Sequence, residues 1–141
     1  MSVTFLKKLS RNDTGETNSH QVGICIPKKN KELLNFFPPL DSSKFNPDTT
    51  ITCVDPEEEE WKMRYIYYNG KLTGQSTRDE YRITPMTKFM KEWNAKSNDL
   101  IMFSSTSKTG RYRIAIVKQG SEENMDFEPS LFNASGWSKA G

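Results

Sequence analysis

The chain of 141 residues has one histidine and two cysteines, no Gly-rich phosphate loop, and no serine or cysteine in a Gly-x-Ser-x-Gly setting. The scarcity of these residues leaves acyl transfer without visible machinery, makes a poor zinc set, and removes the usual loop-held nucleotide sites. No apolar run approaches the roughly 20 residues that span a bilayer, and the start Met-Ser-Val-Thr-Phe lacks the apolar core of a signal peptide. A cytoplasmic protein without a membrane partner is the expectation. Cys25 and Cys53 each stand between β-branched or apolar neighbours, which predicts two buried, reduced thiols and no disulfide. Apolar content is low at 34%, yet three Trp, five Tyr and eight Phe are enough for one compact core. The length suits one such domain.

What the chain has in quantity is polar side chains in blocks. From Ser10 to Gln21 every residue except Gly15 carries a hydrogen-bonding side chain. The apolar Val3 and Phe5 precede this stretch and the strand-like Val22-Gly23-Ile24-Cys25-Ile26 follows it, so it is displayed between strands. Arg11, Asn12, Asn18, His20 and Gln21 are residue types that present donors and acceptors to base edges; the alternative is a solvated loop.

Net charge is only +2. Residues 61–118, however, hold twelve Lys or Arg against four acids, a local excess of eight positive charges, while 51–60 hold five acids and no base. Such a segment suits a polyanion, because each phosphate contact releases condensed counterions; a solvated charged face is the alternative.

Alternation of period two marks at least five strands, at Val22/Ile24/Ile26, Ile51/Cys53, Tyr65/Tyr67, Leu100/Met102 and Tyr112/Ile114/Ile116. Two stretches have helical spacing instead. Met86, Phe89, Met90 and Trp93 fall at i, i+3, i+4 and i+7, with Thr84 placed to cap and Pro85 at the first helical position. Lys29 to Phe36 is the second, stopped by Pro38-Pro39. The pattern predicts a mainly β (α+β) domain, an open barrel of about seven strands whose ends are closed by two short helices. Residues 1–120 form this domain, and 121–141, acidic and with few periodic positions, read as a C-terminal linker with one short turn around Phe127 to Phe132.

Asp55 through Lys62 contains an acid followed by Glu60-x-Lys62, half of a metal-dependent nuclease pattern. Only six residues separate Asp55 from Lys62, too few to bring them to one metal from adjacent strands, so an acidic, solvated hairpin tip is expected. A second polar cluster runs from Asn69 to Arg82. There Lys71, Arg78 and Arg82 can meet phosphates or guanine, Gln75 can pair with adenine, and Asp79 or Glu80 can accept from cytosine. A flexible hairpin with internal Arg78 and Arg82 ion pairs to Asp79 and Glu80 is the alternative.

Lys8-Leu9-Ser10, Asn12-Asp13-Thr14-Gly15, His20-Gln21-Val22-Gly23, Ile26-Pro27, Tyr67-Tyr68-Asn69, Thr77-Arg78, Glu80 and Arg82-Ile83-Thr84 closely resemble the N-terminal effector domain of EcoRII-like restriction endonucleases, over about residues 5 to 118. The resemblance implies a DNA-binding pseudobarrel, shared with plant B-three-type transcription factors, in which two arms enter the major groove of double-stranded DNA. By position the N-arm is Arg11 to Gln21, with Arg11, Asn12, Asp13, Thr14, Thr17, Asn18, His20 and Gln21 as contacts. The C-arm is Lys71 to Arg82, with Lys71, Gln75, Ser76, Thr77, Arg78, Asp79, Glu80 and Arg82. One residue is inserted near Gln75-Ser76, and Tyr81 replaces a basic residue. The resemblance further implies a CC(A/T)GG site, a monomeric bacterial domain without catalytic residues or cofactor, and a separate nuclease domain that would use Mg2+. A transcription regulator on the same fold and a small metal-dependent nuclease are the rival readings.

Overall fold

The computed structural model describes residues 2–16, 22–120 and 135–140. In chain order the elements are β1 (Thr4–Lys8), β2 (Ile24–Ile26), α1 (Lys31–Phe36), β3 (Asp48–Val54), β4 (Glu60–Tyr68), α2 (Gly70–Thr73), β5 (Glu80–Thr84), α3 (Thr87–Glu92), β6 (Leu100–Ser105), β7 (Arg111–Val117) and β8 (Trp137–Ala140). The strands form one sheet in the order β2-β5-β4-β3-β7-β6-β1-β8, antiparallel except where β3 meets β7. The two terminal strands of that order approach each other: the Trp137 indole N–H on β8 donates to the Cys25 carbonyl on β2 at 3.1 Å. The sheet is therefore curled almost into a barrel. No helix among the described residues is long and apolar enough to cross a membrane.

Alternation along each strand puts Ile24, Ile26, Ile51, Cys53, Met63, Tyr65, Ile83, Phe103 and Ile114 on the inner face, all buried. Helix α1, capped by the Asn30 side chain accepting from the Leu33 N–H, delivers Leu33 to this core. Phe37 just beyond it packs on Tyr65 and Tyr112 with ring centroids 5.2 and 5.4 Å apart. Helix α3 delivers Phe89 and Met90; each fully buried side chain of this size contributes about 1.5 to 3 kcal/mol.

All five strands read from alternation are present. Beside them stand β1, where the apolar Val3 and Phe5 preceded the polar stretch, and two strands the sequence did not mark, β5 and β8, giving eight strands and three helices among the described residues. The linker expected over 121–141 is corrected at its end: Trp137–Ala140 pairs with β1 and buries Trp137 in the core. Residues 121–134, including the turn expected around Phe127 to Phe132, lie outside the described residues. Thr84 and Pro85 are not the start of a helix. Thr84 completes β5 by pairing with Arg64, and α3 begins only at Thr87. Of the two thiols expected to be buried, Cys53 is, whereas Cys25 is exposed, because the alternation that buries Ile24 and Ile26 turns the residue between them outward.

Candidate nucleic-acid interface

The polar stretch after β1 begins as a tight, internally bonded turn. The Ser10 N–H donates to Asp13 Oδ2 at 2.9 Å and the Asp13 N–H to Ser10 Oγ at 3.2 Å, a reciprocal arrangement that satisfies both backbone donors. Asp13 also forms an ion pair with Lys7 of β1, and both side chains are almost wholly buried. The Thr14 hydroxyl donates to the Ser10 and Arg11 carbonyls. Gly15 takes φ +81°, and a Cβ there would stand 3.0 Å from a Val22 methyl, so glycine serves both the turn and the return to the sheet. Glu16 accepts from the Ser97 N–H at 3.0 Å, and this bond holds its carboxyl below the usual range. Arg11 and Asn12 are left at the exposed crest. Thr17, Asn18, His20 and Gln21 lie outside the described residues.

The C-arm begins at the buried Asn69, which exchanges backbone-to-side-chain bonds with Asn46 (2.9 and 3.1 Å) and donates to the Lys44 carbonyl. One turn, α2, follows, and the chain doubles back so that the Lys71 N–H donates to the Arg78 carbonyl at 2.9 Å. Gly70 permits this closure: a Cβ on it would fall 2.1 Å from Ser76 Oγ. Lys71, Gln75, Ser76 and Thr77 are exposed around the tip, with Leu72 beside them.

The return leg is held on both faces of the sheet by consecutive tyrosines of β4. Tyr67 points inward, stacks on Tyr81 (4.2 Å) and donates its hydroxyl to Asp79 at 2.6 Å. Lys28 donates to both Asp79 oxygens at 3.0 Å. These bonds, the tyrosine's first, keep the Asp79 carboxyl below its ordinary range. Tyr68 faces the other way, and the Arg78 guanidinium lies 3.5 Å over its ring centroid. Arg78 Nε and Nη2 both donate to Glu80 Oε1, at 3.1 and 2.6 Å, while Arg82 stands 4.0 Å from Glu80 Oε2. Of the hairpin alternative, the ion pairs of Arg78 and Arg82 with Glu80 are present, Asp79 pairs with Lys28 instead, and the return leg is bonded to β4.

The arms leave the sheet at opposite ends of one strand pair. Antiparallel pairing sets Ile24 against Ile83, Cys25 against Arg82 and Ile26 against Tyr81. The N-arm therefore arrives beside the end of β5, and the C-arm feeds into its beginning. Five strand residues separate the arms by roughly 15 Å, with Cys25 and Arg82 on the outward floor between them.

Several assignments made from residue type change. Asp13 and Asp79 are engaged in intramolecular bonds and act as anchors of the arms rather than free acceptors at their crests. Asp55 is not a solvated tip residue. It is buried and accepts from the Trp61 and Trp93 indoles (2.9 and 3.2 Å) and from the Glu57 and Glu59 N–H groups (2.9 and 3.0 Å). Glu60 pairs with Arg111 and Glu58 with Arg113, and among the described residues no three His, Cys, Asp or Glu side chains are grouped to hold a metal. Those two pairs, with Arg64–Asp48, offset three of the eight excess positive charges of 61–118, because the fold brings acids from outside the segment onto it. Lys28, Tyr67 and Tyr68 were missed as site residues. Their signal was the Tyr67-Tyr68 pair standing directly before the polar cluster.

The family described as "Restriction endonuclease EcoRII, N-terminal" matches residues 1–131. The type II restriction enzyme EcoRII of Escherichia coli is 41% identical over 88 residues, covering 57% of this chain and 20% of that enzyme, so the match spans a fifth of the relative's length. Among solved structures, the Arabidopsis FUS3–DNA complex superposes with a TM-score of 0.60 at 19% identity, over 82% of this chain and 97% of the other. The N-terminal domain of Helicobacter pylori LlaJI.R1 gives 0.58 at 12% identity, over 100% and 98%. These two share the fold, and the family match adds descent: the chain belongs to the EcoRII N-terminal restriction endonuclease family.

Proposed function

We propose that this domain binds double-stranded DNA sequence-specifically, inserting its two arms in the major groove, as the recognition and effector part of a type II restriction endonuclease. The observation that carries the reading is the placement of two hydrogen-bonding arms at opposite ends of the β2–β5 pair. Their separation of roughly 15 Å is on the scale of a major groove about 12 Å wide. The target we assign is CC(A/T)GG. Arg11, Asn12, Gln75, Ser76, Thr77, Arg78 and Arg82 offer groups to base edges or phosphates, as do Thr17, Asn18, His20 and Gln21. Asp13, Thr14 and Asp79 hold the arms in shape. Family membership supports the reading, as does the likeness in fold to FUS3, a protein solved in complex with DNA. The domain acts as a monomer in the bacterial cytoplasm and needs no cofactor, whereas cleavage and its Mg2+ belong to a catalytic domain elsewhere in the enzyme.

Fluorescence anisotropy with a panel of short duplexes, including the one whose two strands read CCAGG and CCTGG and scrambled controls, tests this. One duplex should bind at least about 10³-fold more tightly than the scrambled ones. With about five phosphate contacts the log affinity should fall against log salt with a slope near −4.5. Equal, weak binding to all duplexes would refute sequence recognition. Nicking of cognate plasmid in Mg2+, lost on Glu60→Ala, would establish the nuclease rival instead.

A further inference from the structure

We propose that Tyr68 is a specificity-determining positioning residue that, with Glu80, holds the Arg78 guanidinium ready to meet a base edge; the proposal rests on the DNA-binding function assigned above. A free arginine side chain loses rotamer entropy when it is fixed. Here that loss is met before any ligand arrives. The Tyr68 ring supports one flat face of the guanidinium at 3.5 Å, and Glu80 Oε1 takes Nε and Nη2. Two constraints of different kind, a plane and an edge, leave one orientation. The opposite edge, carrying Nη1, is directed away from Glu80. The Arg78 side chain remains 37% exposed, and Glu80 takes only Nε and Nη2 of its three nitrogens.

The clamp itself is supported from behind. Tyr68 is the last residue of β4 and pairs with Glu80 across the sheet, so platform and carboxylate sit side by side in fixed register. Asp79, between the two clamped residues, is tied to Tyr67 and Lys28 on the opposite face. Glu80 Oε2 faces Arg82, so one carboxylate lies between two guanidiniums and offsets their mutual repulsion. Glu80 Oε1 accordingly orients Arg78. Tyr68 acts through Arg78, not through its own contact with DNA.

The test is a double-mutant cycle on duplex affinity, with the duplex the wild-type domain prefers and a scrambled duplex as probes. Tyr68→Phe keeps the ring and should stay within about twofold of wild type. Tyr68→Leu should weaken the preferred duplex by roughly 2- to 30-fold, the range of a cation–π contact, with the scrambled duplex unchanged. In an Arg78→Ala background, Tyr68→Leu should change affinity by less than about twofold. Thermal melts of each variant restrict the comparison to folded protein. A Tyr68→Leu loss that persists in the Arg78→Ala background overturns the clamp, as does a Tyr68→Leu or Arg78→Ala variant that binds and discriminates like wild type. In those cases DNA recognition stands; if the wild type prefers no duplex, both the function and the clamp fall.

Discussion

Removing the Asp13 carboxylate separates two roles for the N-arm, anchor and base reader. In Asp13→Ala, Lys7 loses its partner at a site where its side chain is only 8% exposed, and the Ser10 N–H loses its acceptor. Breaking a buried pair on one side costs about 3 to 5 kcal/mol. Lys7 also reaches the Lys8 carbonyl at 3.4 Å, which places the loss at the lower end, about 3 kcal/mol, and the stranded amide adds about 1 kcal/mol. A loss of about 3 to 4 kcal/mol in a domain of this size lowers the melting temperature by roughly 10 °C. Replacing both partners, Lys7→Met with Asp13→Leu, should restore most of it, since no charge is then left buried and alone. Circular dichroism melts give the stability, and anisotropy at a temperature where all variants are folded gives the affinity. An Asp13→Ala protein within about 0.5 kcal/mol of wild type that has nonetheless lost cognate affinity would show a carboxylate facing DNA, and the anchor role would be wrong.

Cys25, outward between the arms, should be alkylated by N-ethylmaleimide and cost at least about tenfold in duplex affinity, about 1.4 kcal/mol. Cys53, whose thiol burial pushes up to about 12, should resist; unchanged binding by the Cys25 adduct would remove β2 from the DNA-facing floor. Asp55→Ala should destabilise by about 2 to 4 kcal/mol through two indoles and two amides left without an acceptor, and an unchanged urea midpoint would contradict that. Burial alone would raise the Asp55 pKa, yet the Trp61 indole and the Glu59 and Glu57 amides hold it below its ordinary value. Its contribution is therefore full above the unfolded value of about 3.9 and lost as pH falls through the lower folded one, so acid titration of stability should show less loss below pH of about 4 in Asp55→Asn. His20→Ala should lose duplex affinity at an unchanged melting temperature; the reverse pattern would make His20 a structural residue.

Elements whose inward positions are densely apolar were legible in the sequence. Ile51-Thr-Cys53 and Tyr112 to Ile116 alternate so strongly that burial of one face leaves no other arrangement; Leu100 to Phe103 is apolar throughout, and the core takes Ile101 and Phe103 rather than the Leu100/Met102 phase read from the sequence. Leu33 and Phe89-Met90 likewise announce short helices by spacing alone. The two arms were legible as well, because long polar runs between apolar strands cannot enter a core. Strands β5 and β8 were not. Glu80-Tyr-Arg-Ile-Thr turns Glu80, Arg82 and Thr84 outward, and its polar content merged it with the arm before it. In Trp137-Ser-Lys-Ala, Trp137 is the buried residue, and the segment becomes a strand because β1 offers it an open edge. The fate of the charged residues also depended on contacts far apart in sequence. Asp55 is buried because Trp93, 38 residues away, turns its indole toward it, and Arg111 and Arg113 are neutralised by Glu60 and Glu58 across the sheet. Residue type supplied the candidate donors and acceptors; the tertiary structure decided which of them are consumed within the protein and which are left facing outward, since a hydrogen bond or ion pair depends on distance in space rather than separation along the chain.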